Sequence, residues 1–200
     1  MLIRLYDFDQ TLFFTRDALF ESYKYALRGW KFDLTKEQFD KELYYDSEVF
    51  LRKVGFNKEE VKAIRLKKTT IYLEKFYKDI KPLRINQIKR SYGEKLIIVS
   101  NTSSKTIKEI LIKYNLRQFF DDVIGPDSGE SLFRKYEDES LYYFALDKHL
   151  KNILTNDFKI EIYEDEVQAV LSAHAAVREY NRVHHTKIKN IEYILKPYLL

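Results

Sequence analysis

The 200-residue chain contains no cysteine. That excludes a disulfide scaffold, a thiol nucleophile and a thiolate zinc site, and it fits a reducing, cytoplasmic compartment. No uninterrupted apolar run approaches the roughly 20 residues of a membrane-spanning helix, so no membrane is expected as a partner. The opening run Met1 to Tyr6 is cut short by acids at Asp7 and Asp9, which is not the pattern of a secretory leader. With five glycines and three prolines the chain has no low-complexity linker. It has four histidines, and the adjacent pair His184 and His185 lacks any partner spacing for zinc. A metal would therefore have to be held by carboxylates, which selects a hard cation such as Mg2+.

Apolar residues make up 45% of the chain and charged residues 33%, a globular composition and not a disordered one. The net charge of +4 comes from 35 basic and 31 acidic side chains. The distribution says more than the total. Residues 15–81 carry 16 basic and 12 acidic residues and so hold the whole surplus, while the remainder is balanced. Within that block Lys58–Lys81 carries eight basic and four acidic residues, with Lys62, Arg65 and Lys68 recurring at helical spacing. A solvated helix face is the plainer reading of that stripe; the functional one is attraction of an anionic substrate.

Leu2 to Tyr6 is a β-prone run that stops at Asp7-Phe8-Asp9, a strand leading into a loop. A long helical tract follows. Asp17 is placed to cap a helix carrying Leu19, Phe20, Tyr23 and Leu27, and Thr35 with Gln38 forms a capping box for a second. Asn57 caps a third, expected to run to about Asp79 with Val61, Ile64, Ile71, Leu73 and Phe76 inward. Beyond Pro82 the pattern becomes α/β alternation. A short helix is expected over Ile85–Tyr92, then a buried strand over Lys95–Val99 and a helix over Ser104–Tyr114. A weak strand follows at Asp122–Ile124, before a Gly125-Pro126 turn. Next come a helix over Leu141–Leu150, a strand over Ile160–Tyr163 and a helix over Val167–Tyr180. Four strands alternating with helices predict a Rossmann-like, doubly wound parallel sheet with an inserted α-helical cap. The core would be residues 1–14 and 82–200, and the cap residues 15–81.

Three of the four strands end in polar residues, where such sheets place their sites. Asp7-Phe8-Asp9-Gln10-Thr11 after the first strand resembles the first motif of the haloacid dehalogenase superfamily. Ser100, within Val99-Ser100-Asn101-Thr102, matches the second motif, and Lys135 stands where the family has its lysine. Asp165, in Tyr163-Glu164-Asp165-Glu166, matches the acidic fourth motif. The four occur in order over nearly the whole chain, with the helical block between the first two. This resembles members with an α-helical cap, of the phosphoglycolate phosphatase and phosphoglucomutase kind. The chain departs from the pattern at Gln10 and Glu164, where glycine is commoner, and at Tyr136, where proline is. Ala169 and Val170 stand where a further acid is usual. The adjacent pair Glu164-Asp165 is similar to the fourth motif of several polynucleotide-processing members.

The resemblance implies a magnesium-dependent phosphatase acting on a small phosphorylated substrate. Asp7 would be the nucleophile that forms an aspartyl-phosphate, and Asp9 the acid and base. Ser100 would donate a hydrogen bond to the phosphoryl group, and Lys135 would screen repulsion between Asp7 and phosphate. Asn101, Thr11 and Arg65 are expected to bind substrate. Magnesium would be held by Asp7, the Asp9 carbonyl oxygen and Asp165, with Glu164 as a candidate for the second acid. Two readings stand beside it. One is a phosphatase of nucleic-acid ends, motivated by the paired acids, the basic block and the tyrosines Tyr44, Tyr45 and Tyr72. The other is a non-catalytic module that kept the fold. The sequence leaves the oligomeric state open.

Overall fold

The computed structural model describes residues 1–83, 88, 90–128, 140–151, 159–186, 188 and 190–195. The chain divides into two compact units, Met1–Phe13 with Pro82–Leu200, and Phe14–Lys81. The segments that join them are the short strands β2 (Phe13–Phe14) and β3 (Lys81–Pro82), which pair with each other. Just beyond β3, the Leu83 amide donates to the Leu12 carbonyl oxygen at 2.8 Å.

The larger unit is built on a five-stranded sheet. In chain order its strands are β1 (Leu2–Tyr6), β4 (Glu94–Val99), β5 (Asp122–Ile124), β6 (Lys159–Glu164) and β7 (Ile191–Leu195). Their spatial order is β5-β4-β1-β6-β7, and every neighbouring pair is parallel. The chain fills one side of β1 first and then the other, so the topological switch point lies at the central strand. Parallel strands need crossovers. These include α5 (Ser104–Lys113), α6 (Leu141–Leu150) and α7 (Val167–His184). Ile3 and Leu5 point to one face, where they cluster with Ile97, Val99, Ile160 and Ile162 and with Leu141, Tyr142, Ala173, Val177 and Tyr180 of α6 and α7. The intervening Arg4 points the other way, the period-2 alternation of a strand.

On that second face Arg4 reaches Glu161 at 2.8 Å and Glu94 at 2.9 Å. Burial alone would raise the Glu161 carboxyl, but hydrogen bonds from Arg4, Lys159 and Tyr163 outweigh it and bring the pKa down to about 2.

The smaller unit is helical. It contains α1 (Arg16–Leu27), α2 (Lys36–Gln38), α3 (Ser47–Lys53) and α4 (Lys58–Ile71). The apolar faces of these segments converge on a core of Tyr23, Leu27, Phe39, Leu43, Phe50, Leu51, Val61 and Ile64. Capping boxes form at Thr35/Gln38 and at Asn57/Glu60.

The structure corrects several expectations. The residue before α1 is Thr15, and Asp17 lies inside the first turn, exposed and paired with Lys36 at 2.9 Å. The Asp46-capped α3 is an extra helix, hidden in sequence by its seven-residue length. α4 stops at Ile71 and gives way to a wider π-helical turn over Tyr72–Phe76; Tyr72, eight residues on from Ile64 and on the same face, is buried, while Leu73 and Phe76, expected inward, are half-buried. A fifth strand, β7, follows α7. It is an edge strand with three half-buried and two exposed residues, too weak a pattern to stand out in sequence. Of the helix expected over Ile85–Tyr92, half the residues lie outside the described ones, and the described Ile88, Arg90, Ser91 and Tyr92 are not helical.

Candidate active site

The site begins where β1 runs out. The register of β1 against β6 pairs Tyr6 with Tyr163, and the Asp7 amide extends that ladder by donating to the Tyr163 carbonyl oxygen at 2.9 Å. Asp7 is thereby set beside Glu164, the last residue of β6. Asp7, Glu164 and Asp165 each offer a carboxylate oxygen, and these oxygens all lie within 4.8 Å of one another. Asp7 and Glu164 are buried and Asp165 is half-buried. Three clustered carboxylates with no neutralising cation would repel one another strongly. All-oxygen donors at this separation suit a hard divalent cation, so the residues fit magnesium. The Tyr142 hydroxyl, brought by α6, donates to Glu164 Oε1 and gives that buried carboxylate a partner.

Beyond Asp7 the chain makes a tight loop. The Phe8 carbonyl oxygen accepts from the amides of Leu12 and Phe13 at 3.1 Å each, and the Gln10 amide donates to the Phe13 carbonyl oxygen at 2.7 Å. Closing this loop puts Gln10 in the left-handed region at φ 60°. That backbone favours glycine, which explains why glycine would be at home there. Thr11 is buried in the same loop.

Asp9 meets the loop that leaves β4. Its Oδ2 accepts from the Thr102 hydroxyl at 2.7 Å and from the Ser100 hydroxyl at 3.4 Å. Ser100 is almost fully buried, and its amide carries the sheet ladder on to the Ile124 carbonyl oxygen at 3.0 Å. The Thr102 amide donates to Ser100 Oγ at 3.1 Å, closing the loop on itself. Asn101 is exposed at its tip.

The loop is held from behind by the turn after β5. Asp127 accepts the Ser104 amide at 2.5 Å and the Lys105 amide at 3.2 Å, so it caps α5 alongside Ser103. Burial pushes the Asp127 carboxyl up, but these amides outweigh it and hold the group below the usual range. Gly125 is packed so closely that a Cβ there would stand 2.5 Å from both the Thr102 carbonyl oxygen and the Ser104 amide.

Of the expected site residues, the structure gathers Asp7, Glu164 and Asp165 into one acidic cluster, and Asp9 with Ser100 into one hydroxyl-lined group. Arg65 lies on α4, where its guanidinium pairs with Glu48 at 3.4 Å. Tyr72 is part of the helical unit's interior and presents no face for stacking on a base. Tyr45 is exposed, and Tyr44 is half-buried with the Arg16 guanidinium over its ring. Lys135 lies outside the described residues, as does Tyr136. The residues that sequence reasoning passed over are Thr102, Asp127 and Tyr142. Thr102 stood inside the second motif, but nothing local distinguishes it from an ordinary loop threonine. Asp127 and Tyr142 act through contacts 23 and 22 residues along the chain.

The model of the haloacid dehalogenase-like hydrolase family matches residues 4–176. The chain belongs to this family of hydrolases. Its fold recurs in solved structures. CbbY from Rhodobacter sphaeroides in complex with phosphate is 17% identical, with a TM-score of 0.72 over 98% of this chain and 86% of that one. A structure of a CbbY mutant with xylulose-1,5-bisphosphate is 16% identical, with a TM-score of 0.70 and the same coverage. A haloacid dehalogenase-like hydrolase from Streptococcus pneumoniae is 14% identical, with a TM-score of 0.69 over 96% of this chain and 92% of that one. At these identities the likeness is one of fold. No curated protein matches the sequence. Among the described residues of this hydrolase no helix is long and apolar enough to cross a membrane.

Proposed function

We propose that this hydrolase is a magnesium-dependent phosphatase of small phosphorylated metabolites, working through an aspartyl-phosphate on Asp7. The observation that carries the reading is the convergence of Asp7 with Glu164 and Asp165 at the carboxyl ends of two adjacent central strands. Asp7, Asp165 and Glu164 would hold the magnesium, with the Asp9 carbonyl oxygen; the ion supplies positive charge to the phosphoryl oxygens.

An Asp7 carboxylate oxygen attacks phosphorus as the bond from phosphorus to the ester oxygen breaks. Asp9 passes its proton to the departing oxygen, then takes a proton from the water that attacks the aspartyl-phosphate, releasing inorganic phosphate and free Asp7. Ser100, Asn101, Thr11 and Lys135 are assigned to the phosphoryl group. The helical unit, with Arg65, is assigned the family's role of selecting substrate, and the cytoplasm is the proposed compartment. The CbbY complex with a sugar bisphosphate supports a small substrate in preference to a polymer.

The test is hydrolysis of p-nitrophenyl phosphate with magnesium, its loss in EDTA, and its loss in Asp7→Asn. Undiminished magnesium-dependent turnover by Asp7→Asn would overturn the nucleophile assignment. A panel of sugar phosphates, mononucleotides and a 3′-phosphorylated oligonucleotide reads the substrate class.

A further inference from the structure

Two hydroxyls converge on one oxygen of Asp9. The stronger contact is not from Ser100 but from Thr102, at 2.7 Å against 3.4 Å. A carboxylic acid accepts hydrogen bonds well on its carbonyl oxygen and poorly on its hydroxyl oxygen. An Oδ2 that receives the Thr102 hydroxyl is therefore the carbonyl side of the protonated group, and the acidic proton is placed on Oδ1. The same bond fixes the rotation of the carboxyl about its terminal torsion, which is otherwise broad and soft.

Thr102 is itself anchored on both sides. Its amide is tied to Ser100 Oγ at 3.1 Å, and its carbonyl oxygen is backed by Gly125, where even a methyl group would not fit. We infer that Thr102 is a positioning residue: its hydroxyl orients Asp9 so that Oδ1 delivers its proton to the departing oxygen. This rests on the phosphatase reading above and adds a residue to it.

The dependence on leaving group separates this role from a structural one. p-Nitrophenolate departs without being protonated, whereas phenolate is more basic and gains from a proton in the transition state. A defect in delivering the proton must therefore fall on phenyl phosphate and spare p-nitrophenyl phosphate. General acid catalysis contributes about 10²- to 10⁴-fold, and losing its alignment removes part of that. The experiment measures kcat/KM with magnesium on both esters for the wild-type chain, Thr102→Val and Thr102→Ser, with thermal melting as a folding control. Thr102→Ala replaces the valine variant if the latter does not fold.

Thr102→Val is expected to lose about 10-fold on phenyl phosphate and less than about 2-fold on p-nitrophenyl phosphate, while Thr102→Ser stays within about 2-fold on both. An equal loss on both esters, no loss on either, or failure of serine to restore the difference overturns the role of Thr102 alone. Absence of wild-type turnover on both esters overturns the phosphatase reading, and this inference with it.

Discussion

Gly125 tests whether the turn after β5 sets the position of the site. Replacing it with alanine adds one methyl carbon, which would stand 2.5 Å from the Thr102 carbonyl oxygen, 2.5 Å from the Ser104 amide and 3.0 Å from Asp127 Oδ1. Two of these are backbone atoms. One belongs to the loop that carries Ser100 and Thr102, and the other to the first turn of α5, so neither can yield by rotating a side chain. Ordinary contact needs close to 1 Å more room, and the loop and helix start must part by that amount.

Overpacking of this kind costs about 1–3 kcal/mol. Alanine restricts the unfolded chain and returns about 0.4–1 kcal/mol. The net expectation is a loss of about 1–2 kcal/mol, or roughly 2–8 °C in Tm for a chain of this size. The catalytic effect should be larger and should extend to p-nitrophenyl phosphate, because a shift of about 1 Å in this loop displaces Ser100, assigned to the phosphoryl group, as well as breaking the 2.7 Å bond from Thr102 to Asp9. Misplacement on that scale costs about 10²-fold in rate. Thermal melting and p-nitrophenyl phosphate turnover of Gly125→Ala measure the two effects separately. A variant with wild-type Tm and wild-type kcat/KM would refute the reasoning. So would one that melts early but turns over normally below its Tm, since the coupling of turn to site would then be absent.

Three further outcomes are expected. Glu161→Gln should destabilise the chain at pH 7 by up to about 3 kcal/mol, from a carboxyl at about 2 when folded against roughly 4.3 when unfolded. Because the folded value is the lower one, that contribution is complete above the unfolded pKa and is lost as pH falls toward 2. Urea unfolding of both proteins between pH 5 and 3 should show the gap narrowing, and a gap that stays constant would count against it. Tyr142→Phe removes the donor to Glu164 and should weaken magnesium binding about 10-fold by calorimetric titration, with unchanged affinity as the contrary result. Asp46→Ala removes a side chain that accepts the amides of Glu48 and Val49 at 3.0 Å each, and should cost about 1 kcal/mol in denaturant unfolding.

What local sequence determines here is whatever depends on neighbours a few positions away. The capping box at Thr35 and the cap at Asn57 were legible because donor and acceptor lie three residues apart. The continuous apolar run ending at Val99 announced a buried parallel strand, and the acids at positions 7, 9 and 165 marked the ends of strands. The family resemblance rested on these same local signals.

Contacts between distant segments decided the rest. Register between β1 and β6 put Asp7 beside Glu164 across more than 150 residues, and only that pairing turns a substituted glycine position into a member of an acidic cluster. The left-handed turn at Gln10 made sense of another departure, since the loop closes through Phe8 and Phe13 and not through the identity of residue 10. The π-helical turn over Tyr72–Phe76 ended the regular helix that local periodicity would have carried on to about Asp79. Thr102, Asp127 and Tyr142 owe their places to backbone and side-chain atoms that folding alone brings within hydrogen-bond reach. Hydrogen bonds and packing act over a few ångströms in space, and sequence separation carries no information about that distance once the chain has crossed from one strand to the next.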